Sequence, residues 1–302
     1  MKIGAIVPQG WTGEYNGWEP QRAWKRTVSV AQQAERLGFE SVWLFDHVHT
    51  VPRPTDEITF ESFTALSALA MATERVRIGQ VVICTGFRNP ALVAKMASTM
   101  DTISGGRMEL GIGAGWKREE WQAYGYDFPS TGARLGRLQD SLEIIGRMFE
   151  HGRTTRASYE GNYVSVRGAI NQPKPIQETG MPIMVGGNGP KVTWRLAARY
   201  ADELNVDGMS PDELRAALPV IRARCEEIER DPESLAVSVH IWWGTPEWSG
   251  AGGARVELLQ QFAELGVSRV IGLLQASATS DEALEELAAD AAAADVELDL
   301  PG

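Results

Sequence analysis

The chain has 302 residues, 43% of them hydrophobic, with 29 basic against 40 acidic side chains and a formal net charge of −11. This acidic balance argues against nucleic acid and anionic membranes as main partners, because both recruit an excess of Lys and Arg, and no apolar run reaches the length of a membrane span. The two cysteines, Cys84 and Cys225, lie far apart without metal-ligand spacing, which predicts free thiols, no metal site and a reducing, cytoplasmic compartment.

Apolar runs of strand type alternate with helical patterns along the chain, which is typical of a parallel α/β fold. The first run, residues 3–7, predicts a strand rather than a signal peptide. Gly38 suits the position just beyond a helix C-terminus and ends the first predicted helix. The next strands are predicted at 41–45, 76–83 and 108–112, and the helices at 21–38, 60–73 and 89–106.

The alternation is interrupted before residue 183, where about 70 residues separate two strands, twice the length of a usual βα unit. Ser130 or Thr131 caps a predicted helix, and Gly161-Asn162 predicts a hairpin turn between strands at 157–160 and 163–167. His151, at the helix end, is expected at the surface. We interpret residues 116–180 as an insertion rather than a second domain, because they are too few and too loop-rich for a core of their own.

The alternation then resumes and completes a set of eight strands. Ser210-Pro211-Asp212-Glu213 predicts a helical capping box, and the spacing after it places Cys225 on the buried helix face. These elements predict a single (β/α)₈ TIM barrel of residues 1–302, with the insertion between strands four and five and the active site at the C-terminal strand ends. The last four strands are predicted at 181–185, 203–206, 235–242 and 268–273.

A glycine-rich turn joins the fifth strand to a helix that is predicted to begin near Pro190. Unpaired amides at a helix N-terminus, together with the helix dipole, favour an anion, so the turn predicts a phosphate-binding loop. A tight strand-to-helix connection without a ligand explains the same sequence equally well. The residues of the turn are Gly186, Gly187, Asn188, Gly189, Pro190 and Lys191.

Polar and aromatic residues follow the first two strands. Gln9 and Trp11 place an amide and an indole at the barrel mouth, and Asp46 and His47 follow the second strand. A histidine beside a carboxylate is a candidate general acid or base because imidazole titrates near neutrality. The alternative is a histidine that is only hydrogen-bonded within a loop. His49 lies further from the strand and is the weaker candidate.

A histidine within the seventh predicted strand and a group of glycines at the end of the fourth are further candidate features. His240 alternates with apolar residues inside the seventh predicted strand, which is consistent with a hydrogen-bonded core residue. The fourth strand ends in glycines that include Gly113 and Gly115, and alternating glycines allow a flat ring to approach the backbone. Close packing of the helix on the strand is the alternative explanation.

Taken together, these motifs resemble the luciferase-like flavin monooxygenase superfamily, and within it the branch that uses the deazaflavin coenzyme F420. The resemblance covers roughly two thirds of the chain, in family order. The matching segments are 42–47, 87–90, 103–107, 111–116 with Glu119 and Glu120, 123–125, 128–129 and 185–189.

The resemblance implies roles for the matching positions. Asp46 lies by the deazaflavin ring and His47 near its reactive carbon in such enzymes. Their third strand carries a non-prolyl cis peptide, which by position is Val81–Val82, with Cys84 nearby. The phosphate is held at Gly187, Asn188 and Gly189, and the other implied cofactor contacts are Gly113, Ala114, Gly115, Trp116, Gly186, Pro190 and Lys191.

Trp116 departs from the family pattern. Sugar-phosphate dehydrogenases of this branch carry a glutamate at that position, so we do not transfer their substrate or their acid–base assignment. The predicted substrate pocket consists of Gln9, Trp11, His49 and Met209, with Trp116 beside them, and the basic candidates for the cofactor's anionic tail are Lys117, Arg118, Lys191 and Arg195.

The predicted function is hydride transfer between coenzyme F420 and a small organic substrate, with His47 as proton donor or acceptor. One alternative is a monooxygenase that uses flavin mononucleotide (FMN) supplied by a separate reductase. A flavin-binding barrel without catalysis is the other. The resemblance further implies a homodimer.

Overall fold

The computed structural model describes residues 1–150 and 156–300. Residues 151–155 of the predicted insertion, His151 among them, lie outside the described residues. The strands are β1 (Lys2–Ile6), β2 (Ser41–Leu44), β3 (Arg77–Gln80), β4 (Ile83–Cys84), β5 (Met108–Gly113), β6 (Arg156–Tyr159), β7 (Val166–Ile170), β8 (Ile183–Gly186), β9 (Glu203–Asp207), β10 (Ala236–Ile241) and β11 (Arg269–Leu273).

Helices separate most of these strands. They are α1 (Pro20–Arg36), α2 (Ser62–Ala72), α3 (Pro90–Ser104), α4 (Arg118–Ala123), α5 (Thr131–Phe149), α6 (Thr193–Tyr200), α7 (Pro211–Glu226), α8 (Pro246–Ser249), α9 (Gly253–Glu264) and α10 (Glu282–Ala293), with short 3₁₀ turns at Pro232–Ser234 and Gln275–Ala278.

The strands β1, β2, β3, β5, β8, β9, β10 and β11 form a closed parallel barrel. Their order around it is β3, β2, β1, β11, β10, β9, β8, β5, and pairing of β3 with β5 closes the ring. The predicted (β/α)₈ barrel is therefore confirmed. Trp43 fills part of the interior, and neither Gly4 nor Gly79 has room for a Cβ beside its indole. Close packing of this kind makes the interior a core rather than a channel.

The third predicted strand is interrupted. It forms β3 and then, after Val81 and Val82, the two-residue β4, which pairs with β5. The Val81–Val82 peptide bond is cis, at the position that the family resemblance implied.

The region between β5 and β8 contains one regular barrel helix and two additions. Helix α5 packs against both α3 and α6, as a helix of the barrel does. The additions are the short helix α4, which the sequence pattern did not predict, and the antiparallel hairpin of β6 and β7.

The second strand of this hairpin was predicted at 163–167 but begins at Val166. The Asp140 side chain on α5 explains the shift. Its Oδ2 accepts hydrogen bonds from the Tyr163 and Val164 amides at 2.7 and 3.2 Å, so these two amides are bound to α5 and not to the hairpin partner.

Several local predictions are confirmed. Ser210 and Glu213 form the capping box at the start of α7, and Cys225 on the same helix is completely buried. Gly38 follows α1 with a φ of +82°, a conformation that favours glycine.

A cluster of buried charges occupies the barrel end at which the strands begin. Arg269 contacts Glu40, Glu109 and Glu203, and Arg77 also contacts Glu109. Burial raises the pKa of Glu203, Arg269 offsets this only in part, and the neighbouring Glu109 raises it further. Burial also acts to raise the pKa of Glu109, but its two arginines outweigh burial and lower it. Three carboxylates thus share two guanidinium groups, and Glu203 holds a proton more readily than Glu109 does.

Replacing Glu203 with Gln should leave the free energy of unfolding at pH 8 equal to or above that of the wild type. Folding raises the pKa of this carboxyl above about 4.5, its value in the unfolded chain. Its contribution to stability is therefore lost as the pH rises through the folded pKa. Gln does not ionise, so the variant does not lose this stability. Arg269→Met should lower the free energy of unfolding by about 3–5 kcal/mol because it leaves buried carboxylates unpaired. Urea unfolding at pH 5 and pH 8 measures both effects. The free energy of unfolding of Glu203→Gln, relative to wild type, should be higher at pH 8 than at pH 5. A lower relative value at pH 8 contradicts the assignment.

Candidate active site

A cavity of about 300 Å³ opens at the C-terminal ends of the strands, where barrel enzymes place their active sites. Its volume lies at the lower end of the range for small-molecule pockets. Thirteen residues predicted from the sequence border it: Trp11, Asp46, His47, Val81, Val82, Cys84, Gly113, Ala114, Gly115, Trp116, Lys117, Gly186 and Gly187.

His47 is held by a buried carboxylate and an indole. Its Nδ1 lies 2.6 Å from Oε2 of Glu120, and its ring stacks on Trp11 with centroids 3.9 Å apart and planes 2° from parallel. Among the described residues, none forms a hydrogen bond with Nε2, and the imidazole borders the cavity. Nε2 is therefore the ring atom that a ligand can reach.

Glu120 sets the orientation of this imidazole. The glutamate lies in the first turn of α4, its side chain is almost fully buried, and its Oε1 accepts a hydrogen bond from the Val48 amide at 3.1 Å. A carboxylate can only accept, so Nδ1 is the donor, and Nε2 is the ring nitrogen left to exchange a proton with a ligand. The sequence motif contains Glu120 but gives it no role, because nothing local signals a contact with a residue 73 positions away.

Asp46 borders the cavity, but both of its carboxylate oxygens are engaged by protein groups. Arg88 donates to both at 2.8 and 2.9 Å, the Cys84 amide donates to Oδ2, and the Ser62 hydroxyl donates to Oδ1. Burial lowers the pKa of Arg88, but Asp46 and Glu61 outweigh it and raise the pKa, so the guanidinium stays charged. Through the Cys84 amide and the Arg88 side chain, Asp46 therefore links β4 and the loop after it to the end of β2.

The wall of the cavity between β5 and β8 is formed by bare backbone and a valine. A Cβ on Gly113 or Gly186 would lie within 3 Å of the Val82 methyl groups, so both glycines are required for Val82 to lie there. The result is a smooth apolar surface. Cys84 lies nearby, with Sγ against Gly115, and burial raises the pKa of its thiol to about 12.

The predicted phosphate-binding turn is exposed and carries free donors. Helix α6 begins at Thr193, three residues after the predicted start at Pro190. In the described structure, no acceptor contacts the amides of Asn188, Gly189, Lys191, Val192 and Thr193. We call these residues, 188–193, the amide loop. Free amides at a helix N-terminus suit an anion.

The amide loop is fixed to the neighbouring strand. The Asn188 side chain donates to the Asp207 carbonyl at 2.7 Å and accepts from the Asp207 amide at 2.8 Å, and the Gly187 amide donates to the Asn205 carbonyl. The Asn188 side chain and the Gly187 amide are thus engaged within the protein. The donors that remain free in the turn are its other amides, which lie next to Gly187 and Thr193 at the cavity border.

Three predicted substrate contacts lie outside this cavity. Gln9 turns inward, where its amide bonds the backbone of Phe45 and Phe60. His49 lies 3.8 Å from Oε1 of Glu120 and does not border the cavity. Met209 borders a second cavity of about 340 Å³ between β10, α7 and α9.

The four basic candidates occupy different environments. Lys117 is buried and borders the cavity. Lys191 is exposed on the amide loop, Arg195 pairs with Glu227, and Arg118 lies over the ring of Phe128.

His240 was predicted as a hydrogen-bonded core residue, and it is both buried and bonded. Its Nδ1 lies 3.0 Å from Oδ1 of Asp207, and both residues border the cavity, a position that strand periodicity alone did not indicate. Within the described residues there is no group of three or more His, Cys, Asp or Glu side chains placed to hold a metal ion. None of the described helices is long and apolar enough to cross a membrane.

Comparison with known sequences identifies relatives. The profile of the family described as luciferase-like monooxygenase matches residues 1–243. An F420-dependent glucose-6-phosphate dehydrogenase of Microbacterium testaceum is 34% identical over 181 residues, which are 59% of this chain and 52% of that protein. A phthiodiolone/phenolphthiodiolone dimycocerosates ketoreductase of Mycobacterium bovis is 30% identical over 66% of this chain and 55% of that protein. The chain thus spans about half the length of the curated relatives it matches.

Solved structures share the fold at low sequence identity. An F420-dependent secondary alcohol dehydrogenase in complex with an F420-acetone adduct superposes with a TM-score of 0.81 at 20% identity, over 97% of this chain and 98% of that one. A coenzyme F420-dependent tetrahydromethanopterin reductase from Methanopyrus kandleri gives a TM-score of 0.75 at 17% identity, over 96% and 97% of the two chains.

Both cysteines should resist alkylation in the native protein. With a pKa near 12, roughly 10⁻⁴ of the Cys84 thiol is ionised at pH 8, and burial also raises the pKa of Cys225. Intact-mass spectrometry after one hour with iodoacetamide should show no adduct in buffer and two adducts in urea. Rapid single labelling at Cys84 in the native protein contradicts this environment for the thiol.

Proposed function

Because the chain belongs to the luciferase-like monooxygenase family, we propose that it is a coenzyme F420-dependent oxidoreductase that transfers a hydride between the deazaflavin and a small organic substrate. The observation that carries the proposal is that one cavity combines the free Nε2 of His47 with the amide loop at its border. The curated relatives named for F420 dependence support the choice of cofactor.

The residues present fit a phosphorylated tricyclic cofactor. The amide loop offers five donors for a phosphate. Val82 with Gly113 and Gly186 offers a smooth apolar surface for a planar ring, with no side chain projecting from either glycine. Gly187 borders the cavity between these two parts, and a Cβ there would meet only a Thr193 methyl at 3.5 Å.

When bound, F420 supplies a ring carbon that accepts or releases hydride. His47 accepts or donates the proton that accompanies the hydride transfer. During oxidation of an alcohol, Nε2 accepts the hydroxyl proton as the carbon loses its hydrogen with the bonding electron pair and becomes a carbonyl. During reduction Nε2 returns the proton to the oxygen. In the oxidation direction His47 then releases this proton to solvent. Glu120 stabilises the positive charge while His47 holds the proton, and Trp11 keeps the ring plane fixed.

The oligomeric state and the location of the protein are also matters of proposal. We propose a homodimer, supported by the exposed apolar side chains of Met71 on α2 and of Leu92 and Ile103 on the neighbouring α3. A cytoplasmic location is supported by the two unpaired cysteines.

Substitutions at Val192 test the amide loop. Val192 precedes α6 without capping it by a side chain, so Asp there can cap the helix while placing a negative charge among the free amides. Val192→Asp should therefore keep or raise the melting temperature and weaken F420 binding about tenfold or more, whereas Val192→Asn, a cap without charge, should weaken it less. Quenching of F420 fluorescence measures the affinity.

The same titration separates the cofactors. Wild-type protein should bind F420 more tightly than FMN. Stabilisation by FMN alone supports the two-component monooxygenase, and unchanged F420 affinity in Val192→Asp removes the amide loop from the cofactor site.

His47 variants test the proton transfer. His47→Asn should lower kcat about 10²–10⁴-fold with F420 affinity retained, because only the proton donor or acceptor is lost. Glu120→Gln keeps an acceptor for Nδ1 without its charge and should lower kcat about 10–100-fold, while Glu119→Gln, on the exposed side of α4, is the matched control. Turnover is followed by F420 absorbance with a substrate from an alcohol and ketone screen, and full activity of His47→Asn would rule out this role.

A further inference from the structure

Lys117 has a largely buried side chain whose ammonium group has no anionic partner among the described residues. It is 7% exposed and borders the same cavity as His47. Among the described residues no carboxylate lies within 4 Å of its Nζ, and no hydrogen bond from Nζ is formed. Its nearest electrostatic contact is the Trp116 ring, whose centroid lies 5.7 Å from Nζ. An indole face attracts a cation but accepts none of the three N–H donors in the way an oxygen does.

The carboxylates that border the cavity have other partners. Asp46 is paired with Arg88. Glu120 bonds His47, and Asp207 bonds His240. Lys117 is therefore the charge in this cavity for which the described part of the chain supplies no counter-charge. An ammonium group at the cavity border without an ion-pair partner can donate charge-assisted hydrogen bonds to an anion that enters the cavity.

We propose that Lys117 binds an anionic group of the substrate, so that the enzyme acts on small alcohols or carbonyl compounds that carry a carboxylate or a phosphate. This rests on the proposed function, since it names the substrate class of the same site. The ammonium group, with three donors and no fixed plane, suits either oxyanion.

Position assigns this anion to the substrate rather than to the cofactor. Lys117 immediately precedes α4, and its carbonyl accepts the amide of Glu120, the residue that holds His47. The ring of the adjacent Trp116 meets the imidazole edge, with centroids 5.9 Å apart. Lys117 thus belongs to the segment around the proton-transfer residue, whereas the cofactor phosphate has the free amides of the separate amide loop.

Calorimetry on F420-loaded protein tests the proposal with probes that cannot react. The probes are 2-hydroxyisobutyrate, its neutral amide 2-hydroxyisobutyramide, and inorganic phosphate. The tertiary alcohol has no hydrogen on its carbinol carbon, so no hydride can leave. Wild-type protein should bind the carboxylate, phosphate or both at least about tenfold more tightly than the amide. The two anionic arms distinguish carboxylate from phosphate substrates.

Lys117→Met should abolish this preference for an anion and leave F420 affinity unchanged. Lys117→Arg, which keeps the charge, should retain part of the preference for the anion over the amide. If the Met variant does not fold, Lys117→Gln replaces it in the comparison with wild type. Lys25→Met, on the exposed face of α1, controls for net charge. Equal binding of anion and amide by wild type, an anion preference that survives in Lys117→Met, or a loss of F420 affinity in that variant would each overturn the proposal.

Failure of the proposed function is separable from failure of this inference. If wild-type protein does not bind F420, the same three probes are titrated into protein without cofactor. A carboxylate preference that depends on Lys117 then supports the anion site without the cofactor, and its absence rejects the site.

Discussion

The hydrogen bond between Glu120 and His47 is the contact on which the rest of the site depends. It joins α4, which lies outside the regular barrel alternation, to the end of β2. The same helix contributes Trp121, which packs so closely on Gly86 that this glycine could not carry a Cβ. One short helix therefore orients the imidazole and forms part of the cavity wall, and loss of the Glu120 carboxylate would affect both.

The two ends of the barrel use charge in opposite ways. At the end opposite the cavity, Arg269 pairs with Glu109 of β5, with Glu203 of β9 and with Glu40, which precedes β2, so these pairs join different parts of the barrel. At the cavity end, Asp46 and Glu120 hold other protein groups, and the free donors in the described part of the chain include Lys117 and the amide loop. Free donors beside paired carboxylates are what a site for anionic ligands requires.

Much of the fold follows from local patterns, whereas the site depends partly on contacts that span the chain. Alternating strand and helix signals predicted the barrel, and strand ends predicted His47 and the amide loop, because both are local properties. Glu120 was missed because its contact with His47 crosses 73 residues. Gln9 and Met209 follow strands as expected, but sequence position does not state which way a side chain turns. Gln9 faces the backbone of the adjacent loop, and Met209 lines another cavity.

The most direct test of the central claim is a crystal structure of the protein with F420 bound. The account predicts that the cofactor phosphate lies within hydrogen-bonding distance, about 2.7–3.2 Å, of at least two amides of the loop 188–193. It also predicts that the deazaflavin ring lies against Val82 with its reactive carbon on the side of His47 Nε2. A phosphate bound elsewhere, or a ring separated from His47 by the protein, would contradict it.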